Sequence, residues 1–220
     1  MHDVLDADRI ARPETPWSAL RRRVSGRYPV DPFGLDPQLA DLSVPLFAAA
    51  LRVHVSGGQH IPATGPAVIV SNRGFGVAEP AALGVAVQRA CGRRLRVVGA
   101  PDMPFLGTVT RRLGAISSSE PDVASALRAG HLVGIPLAPT WLRTGAGDAP
   151  LGVARALTLA PIIPAAVRGV GRFGGIAGSW DVTFGPMVTL SEPYDPNDPL
   201  AAARFIEAMR LAVGALLEVG

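Results

Sequence analysis

Ala67-Val68-Ile69-Val70-Ser71 is apolar at four consecutive positions, Ala67 to Val70, and that run constrains the fold more than any other feature of the chain. Successive strand residues face opposite sides of a sheet, so a strand of this composition must be central and covered on both faces. Leu132-Val133-Gly134-Ile135 reads as a second buried strand and Ile162 to Val167 as a third. Arg52 to Ser56, Leu95 to Gly99 and Asp181 to Phe184 are further strand segments. Between them the period becomes helical over Ala81–Ala90, Met103–Leu113, Pro121–Ala129 and Val153–Ala160, and Pro199 to Glu218 reads as a long closing helix. Strands alternating with helices predict an α/β domain whose central, mostly parallel mixed sheet is flanked by helices. No internal repeat is visible.

The 220 residues suit one domain with an arm. Residues 1–16 are polar, carry Pro13 and Pro16, and are expected to be mobile. Residues 17–51 read as a helical arm and 52–220 as the main domain. Within the arm a short basic helix is expected from Trp17 to Arg27, then a proline-rich stretch from Tyr28 to Pro37. A helix follows from Gln38 to about Leu51, with Asp36 as its N-cap and Pro37 in its first turn. Leu39, Leu42, Leu46 and Ala49/Ala50 share one face of that helix, suited to docking on the domain or on a bilayer.

All 21 basic residues are Arg, and the net charge is only +3. With seven Phe, three Trp and two Tyr, no basic run is interleaved with aromatics, so nucleic acid is not an expected partner. Cys91 is the sole cysteine, which excludes an internal disulfide and a cysteine metal site, and its Ala90 and Gly92 flanks suit a packing role. No secretory signal is read at the acidic start, and the apolar stretch Val44–Leu51 is far short of the about 20 residues a spanning helix needs. The cytoplasm is the expected location, with peripheral contact at an anionic membrane through Arg21, Arg22 and Arg23 as a further expectation.

Four segments stand in a telling order. Gly58-Gln59-His60-Ile61-Pro62-Ala63-Thr64-Gly65-Pro66 feeds the strand that ends at Asn72. Leu113-Gly114-Ala115-Ile116 and Val133-Gly134-Ile135 follow, and then Ala160-Pro161-Ile162-Ile163-Pro164-Ala165-Ala166-Val167-Arg168-Gly169. Together, over roughly residues 20–190, this order and spacing resembles the glycerolipid (PlsC-like) acyltransferase family. Arg27 to Asp36 is also similar to an arm that precedes the domain in some bacterial members.

The resemblance implies a PlsC-like fold and a chemistry in lipid metabolism. In that family an acceptor hydroxyl attacks an acyl thioester. The motif N-H-x4-D supplies a His base and an Asp that orients it, and a loop F-P-E-G-T-R with an earlier Arg contacts the acceptor's phosphate or polar head. A base must reach the proton it takes and titrate near the working pH.

This chain departs from the motif at each of those positions. Asn72 is kept, but Arg73 stands for the His, and a guanidinium has no lone pair to act as a base. Ala78 stands for the Asp, or Glu79 at the longer spacing that some members show. Glu120 falls where the earlier Arg belongs. Ala138, Pro139 and Trp141 replace the loop's Glu, Gly and Arg, and only Thr140 is retained. The expectation is a catalytically inactive acyltransferase homologue, a pseudoenzyme that binds a lipid or acyl ligand or partners an active relative. The alternative is an enzyme that acylates a lysophospholipid or glycerolipid acceptor through an altered site, with Glu79 the base on offer. A retained pocket would open at the carboxyl end of the strand closing at Asn72, between the Arg73 and Trp141 loops.

Other motifs carry less. Gly169-Val170-Gly171-Arg172-Phe173-Gly174 satisfies G-x-G-x-x-G, but a dinucleotide site needs a helix to open there, and a loop through Gly175, Gly178 and Trp180 is expected instead. Ser117-Ser118-Ser119 lacks the glycines of a nucleophile elbow and reads as a loop. Of His2, His54, His60 and His131, no pair has ligand-like spacing, so neither metal nor cofactor is expected.

Overall fold

The computed structural model describes residues 17–18, 21, 30–72, 78–99, 104–137, 154–172, 177–188, 195 and 198–218. Residues 1–16 lie outside that set. In chain order the elements are α1 (Pro37–Ala50), β1 (Leu51–Ser56), a 3-10 turn (Gly58–His60), β2 (Ala67–Asn72), α2 (Ala78–Cys91), β3 (Leu95–Val97), α3 (Pro104–Arg112), α4 (Glu120–Arg128), β4 (Leu132–Leu137), α5 (Ala154–Leu157), β5 (Ile162–Arg172), β6 (Ala177–Phe184) and α6 (Pro199–Glu218). The six strands form one mixed sheet in the order β1-β6-β5-β2-β4-β3. All neighbouring pairs are parallel except β5 with β6. The α/β class with a mostly parallel mixed sheet therefore stands.

β2 sits near the middle, and its alternation decides which helices cover which face. Ala67 and Ile69 enter a core with α2 and the β1–β6 strands, whereas Val68 and Val70 enter a second core with α4, α5 and α6. Val68, Ile69 and Val70 are wholly buried, each contributing about 1.5–3 kcal/mol of apolar burial.

The strand directions shape the end of the sheet at Asn72. β2, β3, β4 and β5 run one way; β1 and β6 run the other. Backbone pairing of β2 with β5 ends at Ser71 and Ala165, yet β5 continues to Arg172 paired with β6. Among the described residues, the sheet beyond the carboxyl end of β2 thus persists as β5, β6 and β1. α2 packs across this extension, with Ala78, Ala82 and Leu83 in the same apolar cluster as Leu51, Val53, Val167, Trp180 and Val182.

The segment before α1 is wired to the sheet by polar contacts. Asp31 Oδ1 accepts from the N–H groups of Phe33 (2.9 Å) and Leu35 (2.8 Å), and its Oδ2 meets the Arg96 guanidinium. Arg96 is only 2% exposed and lies 5.9 Å from the centre of the Phe33 ring. His131 and Phe33 meet edge to face, with ring centroids 5.6 Å apart. Gly34 turns the chain at φ 88°, a left-handed conformation natural to glycine. Asp36 is fully buried and caps α1 as expected, accepting from Leu39 N–H at 2.9 Å.

Three expectations are corrected. The buried side of α1 is formed by Ala40, Phe47 and Ala48, while Leu46 is 72% exposed and Ala49 is exposed. The helix is pinned by buried Asp36 at one end and buried Leu51 at the other, so these anchors set its rotation among several apolar faces. The stretch around Gly169 and Gly171 is strand and not loop, and β6 begins at Ala177, four residues before the expected Asp181. Cross-strand pairing with β5 overrides the low strand propensity of its glycines. The helix expected over Val153–Ala160 is the single turn α5.

Candidate functional site

Asn72 closes β2 at the carboxyl edge, where open α/β sheets place ligands. Its carboxamide is committed to β5: Nδ2 donates to Val167 O at 2.8 Å, and Val167 N–H donates to Oδ1 at 2.7 Å. The side chain imitates a peptide group and carries the β2–β5 ladder past its last backbone pair. Beside it Ser71 is 4% exposed.

α2 opens on the same edge. Ala78, where the resemblance would expect an Asp, is 5% exposed and packed in the apolar cluster against the sheet. A carboxylate there would be taken out of water. Glu79 is half-buried in the helix's first turn, where the positive end of the helix dipole favours a carboxylate. Glu120 likewise opens a helix, α4, behind Ser119, whose Oγ caps Asp122 N–H at 3.3 Å. The triple serine is therefore a helix cap. Since Ile116 bridges Val98 just past β3, Glu120 lies toward the same edge but two strands from β2. Arg73, Ala138, Pro139, Thr140 and Trp141 lie outside the described residues. The pocket expected between the Arg73 and Trp141 loops lies outside them too.

Trp180 is a residue that reading the sequence missed, because its segment was taken for a loop. It pairs with Gly169 on β5 and Val53 on β1, two residues beyond the Asn72 clamp on Val167. The indole lies across Gly169, where an added Cβ would sit 2.5 Å from Trp180 Cε3 and 2.6 Å from Cδ2. A lone Trp opposite a glycine on the neighbouring strand is the signal that would have found it. Trp180 is 5% exposed, and its Nε1 has no hydrogen-bond partner among the described residues. An unmet buried donor costs about 1–3 kcal/mol.

Other arginines are occupied structurally. Arg93 donates to Pro62 O (3.0 Å) and Gly130 O (2.7 Å), Arg89 to Val53 O, and Arg168 to Leu216 O. A shallow open groove of about 490 Å³ runs along the outer edge of β1 past His54, Gln59 and Arg89. It borders the last turns of α2, about 20 Å along the helix from the Asn72 end. Among the described residues no three His, Cys, Asp or Glu side chains cluster as a metal site, and no helix is long and apolar enough to cross a membrane. Arg21 is exposed; Arg22 and Arg23 lie outside the described residues.

No family model matches the chain. Over 127 residues it is 35% identical to an uncharacterized protein of Mycobacterium bovis and, equally, to one of Mycobacterium tuberculosis, covering 53% of this chain and 36% of each relative. An uncharacterized protein of Mycobacterium leprae is 32% identical over 127 residues, with 53% and 35% covered. The matched region thus spans about a third of the length of these curated relatives.

Proposed function

We propose that this chain is a divergent PlsC-like acyltransferase homologue that has lost its chemistry and binds a lipid or acyl group. The observation that carries the reading is the state of the two described motif positions. Asn72 spends both ends of its carboxamide on β5, and Ala78 puts a methyl group in the apolar core where a family member needs a carboxylate. With Arg73 in the place of the base and Ala78 in that of the Asp, the motif positions hold no His–Asp pair. The order of the four sequence segments and the parallel strands converging on Asn72 support the family reading.

The test is acyl transfer from acyl-CoA or acyl carrier protein to lysophosphatidate and glycerol acceptors. A positioned base contributes typically 10²- to 10⁴-fold, and its loss brings turnover to background. Robust turnover that vanishes in Glu79→Ala would instead establish an altered-site enzyme with Glu79 as base. Lipid extraction and native mass spectrometry of the purified protein test the binding half. A lipid-free protein that captures no acyl ligand leaves a partner-binding role for the fold. Contact with an anionic membrane through Arg21, Arg22 and Arg23 belongs to the same proposal, and flotation with anionic vesicles tests it.

A further inference from the structure

We infer that the outer edge of β1 is a docking site for an extended segment of a partner protein, added to the sheet as one more strand, and that Arg89 selects an acidic side chain in it. The edge lies at the far end of α2 from Asn72, so the inference stands apart from the lipid-binding reading.

β1 ends the sheet, with β6 as its neighbour on one side only. Within a strand the N–H and C=O of one residue point the same way, and successive residues alternate between the two edges. Two bonds identify the residues of β1 that look outward. Leu51 N–H turns back to Phe47 O of α1, and Val53 O accepts from Arg89 Nη1 in the last turn of α2. Both bonds point away from β6. The outward set is therefore Leu51, Val53 and Val55, and the N–H groups of Val53 and Val55 face the row where a further strand would lie.

That row is open. The groove of about 490 Å³ beside β1 is walled by Val53, Val55, Gln59 and Arg89, all of them described residues. α1 closes one end of the edge at Leu51, and the 3-10 turn Gly58–His60 closes the other. The free length between them suits about five residues of extended chain. A strand added there would gain main-chain bonds along its length, the usual source of affinity when a peptide extends a sheet.

Charge selects the occupant. None of the groove's lining residues is acidic. Arg89 reaches the edge from the face that α2 covers, and Arg52 is exposed on the opposite face, so an arginine flanks the edge on each side. Asp181 is set back on β6, in register with His54. A second copy of β1 paired antiparallel about Val53 would bring Arg89 against Arg89, a like-charge contact that opposes self-pairing. A partner segment with Asp or Glu opposite Val53 meets Arg89 favourably. Its backbone N–H takes the place of the guanidinium on Val53 O, and its carboxylate receives the guanidinium so released.

The experiment uses capped hexapeptides of Thr and Val with Glu, Gln or Lys at one central position, titrated into the ¹⁵N-labelled chain. The Glu peptide is expected to shift the amide resonances of Val53 and Val55. It is expected to bind about two- to fivefold tighter than the Gln peptide, the value of one part-exposed ion pair, with Lys weakest. Arg89→Gln is expected to bind the Glu and Gln peptides alike. Val55→Pro removes one outward N–H at an edge position that tolerates proline, and is expected to keep the folded spectrum and lose all three peptides. Absence of shifts at Val53 and Val55 with millimolar Glu peptide overturns the inference, as does equal affinity of the intact chain for all three peptides. Protection of these two amides that grows with protein concentration, with a dimer in sedimentation, also overturns it and gives the edge to a second copy.

Discussion

Asn72 and Val167 stand 95 residues apart in the chain and exchange two hydrogen bonds, one in each direction between carboxamide and backbone. The pair lies where β2 stops and β5 goes on. It lets β5 leave the centre of the sheet and build the β5–β6–β1 extension without breaking register. Asn72→Ala removes both bonds and leaves a part-buried carbonyl and N–H, so a loss of about 1–3 kcal/mol is expected in urea unfolding. Asn72→Asp, which keeps the acceptor and loses the donor, is expected to fall between Ala and the parent above pH 5 only if Val167 O finds water. An unchanged unfolding midpoint in Asn72→Ala would remove the structural role assigned to this side chain.

On the proposed acyltransferase-like reading, introducing that family's motif is expected to fail twice over. Ala78→Asp buries a carboxylate in the apolar cluster between α2 and the sheet. That costs about 2 kcal/mol or more, or about 5 °C in melting temperature for a domain of this size. The double substitution Arg73→His with Ala78→Asp is expected to melt lower than the parent and to show background acyl transfer, because Ala138, Pro139 and Trp141 still occupy the acceptor-loop positions. Robust transfer by that double variant would show the acceptor loop to be competent.

The Asp31–Arg96 pair is expected to couple strongly. With side-chain exposures of 7% and 3%, the two charges meet out of contact with water. Arg96→Met alone leaves Asp31 buried with its cation gone, a loss of about 3–5 kcal/mol. Asp31→Asn with Arg96→Met is expected to cost clearly less than the sum of the single changes. Additive losses in a double-mutant cycle by denaturant unfolding would show that the two groups do not act as a pair.

Gly169→Ala tests the seat of Trp180. The new methyl group would press on the indole and lie 2.8 Å from Ser179 O, so ring and backbone must both shift. An expected loss of about 1–3 kcal/mol follows from overpacking. In a background with Trp17 and Trp141 changed to Phe, the remaining emission from Trp180 should move to longer wavelength as the ring is displaced toward water. A variant with unaltered stability and emission would mean that the ring does not rest on Gly169.

The sequence by itself determined the elements that depend on local pattern. Consecutive apolar residues in β2 and β4 demanded two covered faces, and α6 runs from Pro199 to Glu218 as its period requires. Asp36 followed by Pro37 marked the start of α1 because capping chemistry lies within four residues. That Arg73 cannot act as a base was likewise legible, since no environment gives guanidinium a lone pair to offer. What only the tertiary structure decided involves partners distant in sequence. No local pattern says that Asn72 bonds to Val167, that Asp31 reaches Arg96, or that Leu46 faces outward while Phe47 packs inward. The glycines at 169 and 171 and Trp180 read as loop because strand propensity is weak where side chains are absent. They are strand because β6 brings the indole across the backbone that Gly169 leaves uncovered. Such contacts follow from strand order and register, which are set by the simultaneous burial of both sheet faces and not by any one segment.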